Sequence, residues 1–185
     1  MSNTILEFKG KYRFLSNFYN VELVWEKIIW PSSEHAYQAS KSADRATRIA
    51  ISKVLNPATV KRIGRGAEFV VNEKTYKVVT RSDWEQIKIK IMEEIVRAKF
   101  RQNSDLTLKL LDTGDSIIEE GNTWKDKFWG ICPPGSGDGR NELGKILMKI
   151  RNEAKNWNIV FENRVEPTHF TKKQLKEAIW EIEND

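Results

Sequence analysis

The residues in this chain best suited to chemistry lie in one short stretch, Trp-Pro-Ser-Ser-Glu-His-Ala-Tyr-Gln-Ala-Ser-Lys, over residues 30–41. In a helix, the spacing i, i+3, i+4 and i+7 places four polar and aromatic side chains on one face: Glu34, Tyr37, Gln38 and Lys41. A carboxylate there can act as a general acid or base, and an amine as a nucleophile. The pattern indicates a pocket wall, and the alternative is an exposed helix with a Glu/Lys surface pair.

The local sequence contains the signals needed to begin that helix. Pro31 interrupts the preceding extended segment, and Ser32 or Ser33 can cap the helix by accepting a backbone N–H of its first turn. Glu34 then lies at the positive end of the helix dipole, which favours its ionised form.

A glycine-rich loop over residues 133–141, Pro-Pro-Gly-Ser-Gly-Asp-Gly-Arg-Asn, runs directly into a predicted helix. Glycines let a backbone approach a ligand closely, and helix N-terminal N–H groups can hold a phosphate. The loop lacks the Gly-Lys-Ser/Thr of a P-loop and the order of elements of a dinucleotide-binding fold. A phosphate cradle and a flexible surface connection are the two interpretations.

Another cluster, Gly-Asn-Thr-Trp-Lys-Asp-Lys-Phe-Trp-Gly, covers residues 121–130. If residues 123–131 form a strand, Trp124, Asp126 and Phe128 share one face. An acid between two aromatic rings is costly to bury without a partner, so it lies at an exposed tip or beside a bound nucleoside.

The other patterns predict mostly helices. Residues 21–30 alternate as a β-hairpin. Ser82 and Glu85 form a capping box in front of a core helix that runs to about Phe100. An amphipathic helix is predicted over residues 171–183. These elements describe a helix-rich domain and specify no reaction.

Length and composition restrict the class of protein. The 185 residues, 39% hydrophobic and 31% charged, suit one globular domain or one domain with a short appendage. We expect no membrane partner, because no apolar run is long enough to cross a bilayer and no signal pattern precedes the domain.

The cysteine, histidine and charge counts add further expectations. The single Cys132 excludes an internal disulfide and fits a reducing, cytoplasmic compartment. Two histidines and one cysteine do not favour a zinc site, and we expect no metal and no cofactor. The net charge of +5 suits anionic partners and suits an ordinary globular protein equally well.

In this order, the clusters resemble the NADAR family, also called YbiA-like, over about residues 8–157. The matching segments are residues 14–18, 33–38 with Lys41, 81–84, 98–100, 110–115, 120–130 and 139–148. The insertion at residues 133–137 departs from the family pattern, and residues 158–185 have no counterpart in it.

The resemblance implies an α+β fold: a helix-rich single domain around a small β-sheet over residues 1–157, with a C-terminal helical extension over residues 158–185. It implies a hydrolase that cleaves N-glycosidic bonds. The first expected substrate is ADP-ribose attached to guanine in DNA or RNA, and the alternative substrates are phosphoribosylamino-pyrimidine intermediates of riboflavin synthesis. Both join a phosphorylated ribose to an exocyclic amine.

The resemblance also implies a site. Its expected catalytic residues are Glu34, Lys41 and Asp126. Its expected substrate-binding residues are Asn17, Tyr37, Gln38, Trp84, Asn122, Trp129, Gly130, Gly139 and Asn141. Asn17 and Asn122 would orient ribose hydroxyls, and Trp84 or Trp129 would stack the base. Gly139 and Asn141 would hold a phosphate.

Two chemical routes fit such a site. Glu34 can activate water at an oxocarbenium-like centre with Asp126 as a second carboxylate, or Lys41 can form a Schiff base with the opened sugar.

A non-catalytic binder of ADP-ribose or nucleotides is a competing class of function, since it would keep the aromatic residues without needing Glu34. A protein-interaction module that uses the C-terminal helix is a third class of function.

Overall fold

The fold of this chain comes from a computed structural model that describes residues 3–157, which form two compact units. One unit comprises residues 20–102 and the other comprises residues 3–19 and 103–157. The helix predicted over residues 171–183 lies outside the described residues, and the domain boundary after residue 157 stays a prediction.

The described residues carry six strands, six α-helices and one 3-10 helix. The strands are β1 (Thr4–Ile5), β2 (Leu23–Trp25), β3 (Ile28–Trp30), β4 (Phe69–Val71), β5 (Lys74–Tyr76) and β6 (Ile117–Ile118). The α-helices are α1 (Ser33–Ala39), α2 (Arg45–Ser52), α3 (Pro57–Ile63), α4 (Trp84–Arg101), α5 (Ser104–Leu111) and α6 (Glu142–Ala154). The predicted helix-rich α+β class is confirmed, with the strands divided into three separate pairs.

The unit of residues 20–102 begins with the predicted hairpin. Strands β2 and β3 pair antiparallel, with Val24 opposite Ile29. Their two-residue turn, Glu26 and Lys27, has φ angles of 51° and 58°. Positive φ at both turn residues matches the right-handed twist of paired strands, which explains the tight connection.

Helix α1 begins as predicted. Ser32 caps it, because its Oγ accepts the backbone N–H of His35 at 3.4 Å. Every residue of α1 is buried, and the helix packs against β3, α2, α3 and α4. The alternative of an exposed surface helix is therefore wrong, because neighbouring elements cover this short helix on all sides.

The helices that surround α1 also begin at local capping signals. The Asp44 carboxylate accepts the N–H groups of Ala46 and Thr47 at the start of α2. Asn56 caps α3, in which Pro57 occupies the first position. Proline suits that position because its missing N–H has no partner to lose there.

The predicted capping box of Ser82 and Glu85 does not form. Helix α4 begins at Trp84 after Asp83, and no side chain caps it. The Asp83 carboxylate instead binds the Arg81 guanidinium through contacts of 2.6 and 2.9 Å. Asp83, the residue directly before the helix, is thus held in a two-point ion pair and its carboxylate caps no backbone N–H of α4.

The second unit pairs β1 with β6 in parallel and packs α6 against β6 and α5. Its 3-10 helix, Gly10–Leu15, buries Phe14 and Leu15. Residues 123–130 form bends and one turn with no strand, and the pairing at this segment is reduced to an isolated bridge between Gly121 and Ile131. The shared strand face for Trp124, Asp126 and Phe128 is therefore wrong.

Within residues 3–157, no helix is both long and apolar enough to cross a membrane.

Candidate active site

The Glu34 carboxylate lies buried in the first turn of α1. Nε2 of Gln38, one turn later, donates a hydrogen bond to Glu34 Oε1 at 2.8 Å. The glutamate residue is only 5% exposed. Burial raises the pKa of Glu34, while the Gln38 hydrogen bond and the nearby cations Lys61, Lys41 and Arg65 oppose that rise. This carboxyl group can therefore hold a proton at a higher pH than an exposed glutamate.

The Lys41 amine lies beyond the end of α1, which stops at Ala39. Its Nζ donates a hydrogen bond to the Gly64 carbonyl at 2.9 Å and lies 5.9 Å from the centroid of the Trp84 ring. Burial lowers the pKa of Lys41, and the negative charge of Glu34 partly restores it. A lysine with a lowered pKa is a stronger candidate for covalent chemistry than an exposed one.

Two aromatic side chains form part of the same surroundings. The Tyr37 and Trp84 rings pack at a centroid distance of 5.2 Å, tilted by 53°. Each residue is only 6% exposed. Both rings are therefore buried and packed against each other. The expected stacking of a base on Trp84 stays a prediction.

Gln38 is held tightly by the C-terminal end of α3. A Cβ added at Gly64 would lie 2.6 Å from Gln38 Cδ and would overlap Gln38 Oε1. This oxygen is buried and has no hydrogen-bond partner among residues 3–157, and the same holds for Ser33 Oγ. Buried polar atoms usually have partners, so these two oxygens are exceptions in the packed surroundings of Glu34.

In the other unit, Asn122 and Asp126 organise a loop. Asn122 Nδ2 donates to the Asp126 carbonyl at 2.7 Å, and Asn122 Oδ1 accepts the Asp126 N–H at 3.0 Å. Asp126 Oδ1 in turn accepts the N–H groups of Phe128 and Trp129 at 3.1 and 2.9 Å. Both side chains therefore fix the backbone of this loop through hydrogen bonds. The expected roles of Asn122 in ribose binding and of Asp126 in catalysis stay predictions.

Asn141 clamps the start of α6 to β6. Its Nδ2 donates to the Ile118 carbonyl at 2.8 Å, and its Oδ1 accepts the Glu120 N–H at 3.0 Å. The residue has a φ of 51°, in the left-handed region that asparagine tolerates better than most residues. Its side-chain amide is therefore used to hold the fold.

The expected phosphate cradle at the start of α6 has fewer available donors than the sequence suggested. The N–H groups of Glu142 and Leu143, the first two helical residues, donate to the Phe128 and Trp129 carbonyls at 3.2 and 3.1 Å. These carbonyls occupy the place that a phosphate would take at those two donors. Phosphate binding by Gly139 and Asn141 stays a prediction. The first two N–H groups of α6 give it no support, because they already donate to backbone carbonyls.

The remaining predicted residues of this unit lie in packed surroundings, and their expected roles in substrate binding stay predictions. A Cβ added at Gly139, whose φ is 152°, would overlap the Gly130 carbonyl. The Trp129 ring is half-buried and meets Phe128 edge-on at 5.0 Å. Asn17 is 7% exposed.

The unit of residues 20–102 brings five of the predicted site residues together around α1: Glu34, Tyr37, Gln38, Lys41 and Trp84. The other unit gathers the predicted residues between Asn122 and Asn141 around one loop. Sequence reasoning missed Lys61, Gly64 and Arg65. The Gly-Arg-Gly sequence directly after a capped helix was the available signal.

The described residues contain no group of three or more His, Cys, Asp and Glu side chains that could hold a metal ion.

Known proteins resemble this chain over most of its length. It is 41% identical over 140 residues to a riboflavin biosynthesis protein of Vibrio vulnificus, and it spans 35% of that protein's length. It is 33% identical over 156 residues to the N-glycosidase YbiA of Escherichia coli, covering 83% of this chain and 90% of that protein. An N-glycosidase of Nostoc punctiforme is 34% identical over 148 residues.

A solved structure and a family profile agree with these relatives. The NMR structure of E. coli YbiA superposes with a TM-score of 0.68 at 31% identity, covering 91% of this chain and 94% of YbiA. The profile of the NADAR domain matches residues 7–155. The resemblance drawn from the sequence motifs is thus confirmed, and the chain belongs to the NADAR family.

Proposed function

We propose that this chain is an N-glycosidase that hydrolyses the bond between a phosphorylated ribose and an amine of a base. The supporting observation is the buried Glu34–Gln38 pair, whose hydrogen bond measures 2.8 Å, with Lys41 in the same unit. Burial raises the pKa of Glu34 and lowers that of Lys41, so both groups move toward neutrality. Oppositely shifted acid and amine groups in one place are typical of catalytic sites.

The relatives support the same reaction class. Proteins named N-glycosidase include E. coli YbiA, of which this chain covers 90%, and the Nostoc protein, of which it covers 87%. This coverage matters because the name then refers to a protein of nearly the same extent. The riboflavin biosynthesis proteins of V. vulnificus and maize are matched over only 35% and 20% of their length.

For the substrate, we propose a phosphoribosylamino-pyrimidine of the riboflavin route, with ADP-ribose on guanine of DNA or RNA as the second candidate. The names of the V. vulnificus and maize relatives favour the first. The net charge of +5 is compatible with a nucleic-acid substrate. A phosphorylated ribose joined to an amine is common to both candidates.

In the direct route, ionised Glu34 takes a proton from water, and the water oxygen bonds to C1′ as the C1′–N bond breaks. The proton finally resides on the leaving amine. Gln38 stabilises the ionised carboxylate through its hydrogen bond and holds it in one orientation. This route requires only the acid–base function of Glu34.

In the covalent route, the ribose ring opens and Lys41 Nζ bonds to C1′, which expels the base amine and leaves a Schiff base. Water then hydrolyses the Schiff base, releasing the sugar and restoring the lysine. The lowered pKa of Lys41 supports this route because the attacking amine must be neutral. Glu34 would move the protons in both halves of the reaction.

Substitution of Glu34 tests the acid–base role. Glu34→Gln keeps the size and much of the hydrogen bonding of the side chain, and we expect it to lower kcat by about 10²–10⁴-fold. Glu73→Gln is the matched control, because Glu73 is exposed in the turn between β4 and β5. Near-normal turnover by folded Glu34→Gln would remove this residue from the mechanism.

Borohydride trapping separates the two routes. In the covalent route, reduction during turnover fixes a ribosyl adduct to Lys41, detectable by mass spectrometry, and Lys41→Ala abolishes both the adduct and turnover. Lys53→Ala, which changes an exposed lysine after α2, should leave both intact. An active Lys41→Ala that gives no adduct would leave the direct route.

The two candidate substrates should be compared in one release assay, beside calorimetric binding of ADP-ribose. Release of the pyrimidine or of free guanine identifies the preferred glycoside. Binding of ADP-ribose without cleavage of either substrate would instead favour a non-catalytic binder.

A further inference from the structure

We propose that Arg65 binds the phosphate of the sugar-phosphate substrate, beside Glu34 and Lys41. This assignment rests on the proposed function, because that function supplies a substrate with a phosphate. It places phosphate recognition at the C-terminal end of α3, in the Gly64-Arg65-Gly66 turn.

The position of Arg65 follows from its neighbour in the chain. The Gly64 carbonyl accepts the hydrogen bond from Lys41 Nζ at 2.9 Å, and the Gly64 Cα packs directly against the Gln38 side chain. Arg65 is the next residue, and Gly66 then turns the chain away with a φ of 97°. The guanidinium is thus carried by a turn that is anchored to two residues of the site.

Arg65 is also available for a ligand. Its side chain is exposed, and it has no ion-pair partner among the described residues 3–157. Three other arginines of the same unit are bound to carboxylates, Arg48 to Glu26, Arg81 to Asp83 and Arg97 to Glu93, whereas Arg45 and Arg62 have no such pair among the described residues. Among the arginines without a carboxylate partner, Arg65 is the one whose charge acts on both Glu34 and Lys41.

The charges around this turn favour an anion. Arg65 and Lys61 both act on the Glu34 carboxylate and on the Lys41 amine, and Lys41 itself also acts on Glu34. Glu85 also acts on Lys41, but it is paired with Lys88. The local surplus is positive, and a guanidinium offers a planar pair of donors that matches two phosphate oxygens.

Calorimetry with ribose 5-phosphate and with ribose tests the assignment. The wild type should bind ribose 5-phosphate more tightly than ribose. Arg65→Ala should weaken ribose 5-phosphate binding about 10- to 100-fold, the loss typical of a charge-assisted hydrogen bond, and should leave ribose binding unchanged. Arg65→Lys should give an intermediate affinity, because it keeps the charge and loses the paired donors.

Arg62→Ala is the matched control. Arg62 is an exposed arginine in the last turn of α3, and it is absent from the groups that act on Glu34 and Lys41. We expect it to bind ribose 5-phosphate as the wild type does. Equal losses in Arg62→Ala and Arg65→Ala, an unchanged affinity in Arg65→Ala, or no preference of the wild type for the phosphate would overturn the proposal.

A kinetic comparison separates this proposal from the proposed function. With phosphorylated and dephosphorylated forms of one ribosylamino substrate, Arg65→Ala should raise KM only for the phosphorylated form. If the wild type cleaves neither form, the glycosidase function fails, and the calorimetry still decides whether Arg65 holds phosphate.

Discussion

Nε2 of Gln38 donates a hydrogen bond to Glu34 Oε1 at 2.8 Å, and both side chains are 5% exposed. A hydrogen bond to the charged form of a buried carboxyl favours that form. The hydrogen bond from Gln38 therefore lowers the pKa of Glu34, whereas burial raises it.

Gln38→Met should move the pH dependence of kcat/KM upward. Methionine is of similar size and offers no donor, so the pKa of Glu34 should rise further above its usual range. The limb of the profile that reports Glu34 should shift to higher pH, as measured with a fixed substrate between pH 4 and 10. An unshifted profile in a folded variant would show that another group sets this limb.

Gly64→Ala should destabilise the protein and lower its activity. The added Cβ would overlap Gln38 Oε1, so Gln38 must move and its bond to Glu34 must weaken. Overpacking of this kind costs about 1–3 kcal/mol of the free energy of unfolding. Denaturant unfolding measures the loss, with Ala67→Ser, at an exposed position just after the turn of residues 64–66, as control. Equal stability of the two variants would contradict the close packing of residues 38 and 64.

Lys99→Met should change how stability depends on pH. Lys99 is 1% exposed, and burial lowers its pKa to about 7 in the folded state, against 10.5 without the fold. Between these two values the unfolded chain holds a proton that the folded chain lacks, so this lysine makes stability rise with pH.

The quantity to compare is the difference in the free energy of unfolding between Lys99→Met and the wild type, measured as a function of pH. Lys99→Met should exceed the wild type in stability by the largest margin at pH 7 and below, by a few kcal/mol more than at pH 10. Urea unfolding at pH 6, 8 and 10 gives this curve, and groups common to both proteins cancel. A difference that is constant with pH would mean that Lys99 keeps an ordinary pKa.

Asn141→Ala should destabilise the second unit. It leaves the Ile118 carbonyl and the Glu120 N–H without the amide that bonds them, and it removes a residue suited to a φ of 51°. We expect a loss of about 2–4 kcal/mol in the free energy of unfolding. Asn152→Ala, at an exposed position of α6, is the control and should change stability little.

The same pair of variants addresses the phosphate cradle predicted at residues 139–141. If Asn141 serves the fold, folded Asn141→Ala should keep the wild-type KM for a phosphorylated substrate at low temperature. A KM raised only for that substrate would restore the residue to phosphate binding.

The sequence by itself determined much of the local structure. Ser32, Asp44 and Asn56 each supply a side-chain oxygen for the N–H groups of the helix that follows, which needs no information from distant residues. The four-residue period also placed Glu34 beside Gln38 correctly. The ordered motifs identified the family, because a series of spaced residues is far more specific than any one of them.

Only the tertiary structure decided what surrounds those residues. Burial of α1 by four neighbouring elements shifted the pKa values of Glu34 and Lys41, and the return of α3 placed Gly64 against Gln38 and brought Arg65 near them. The Asn141 amide and the first N–H groups of α6 were taken by backbone from other segments. Desolvation and contacts between distant segments depend on packing, and residue spacing along a chain does not encode them.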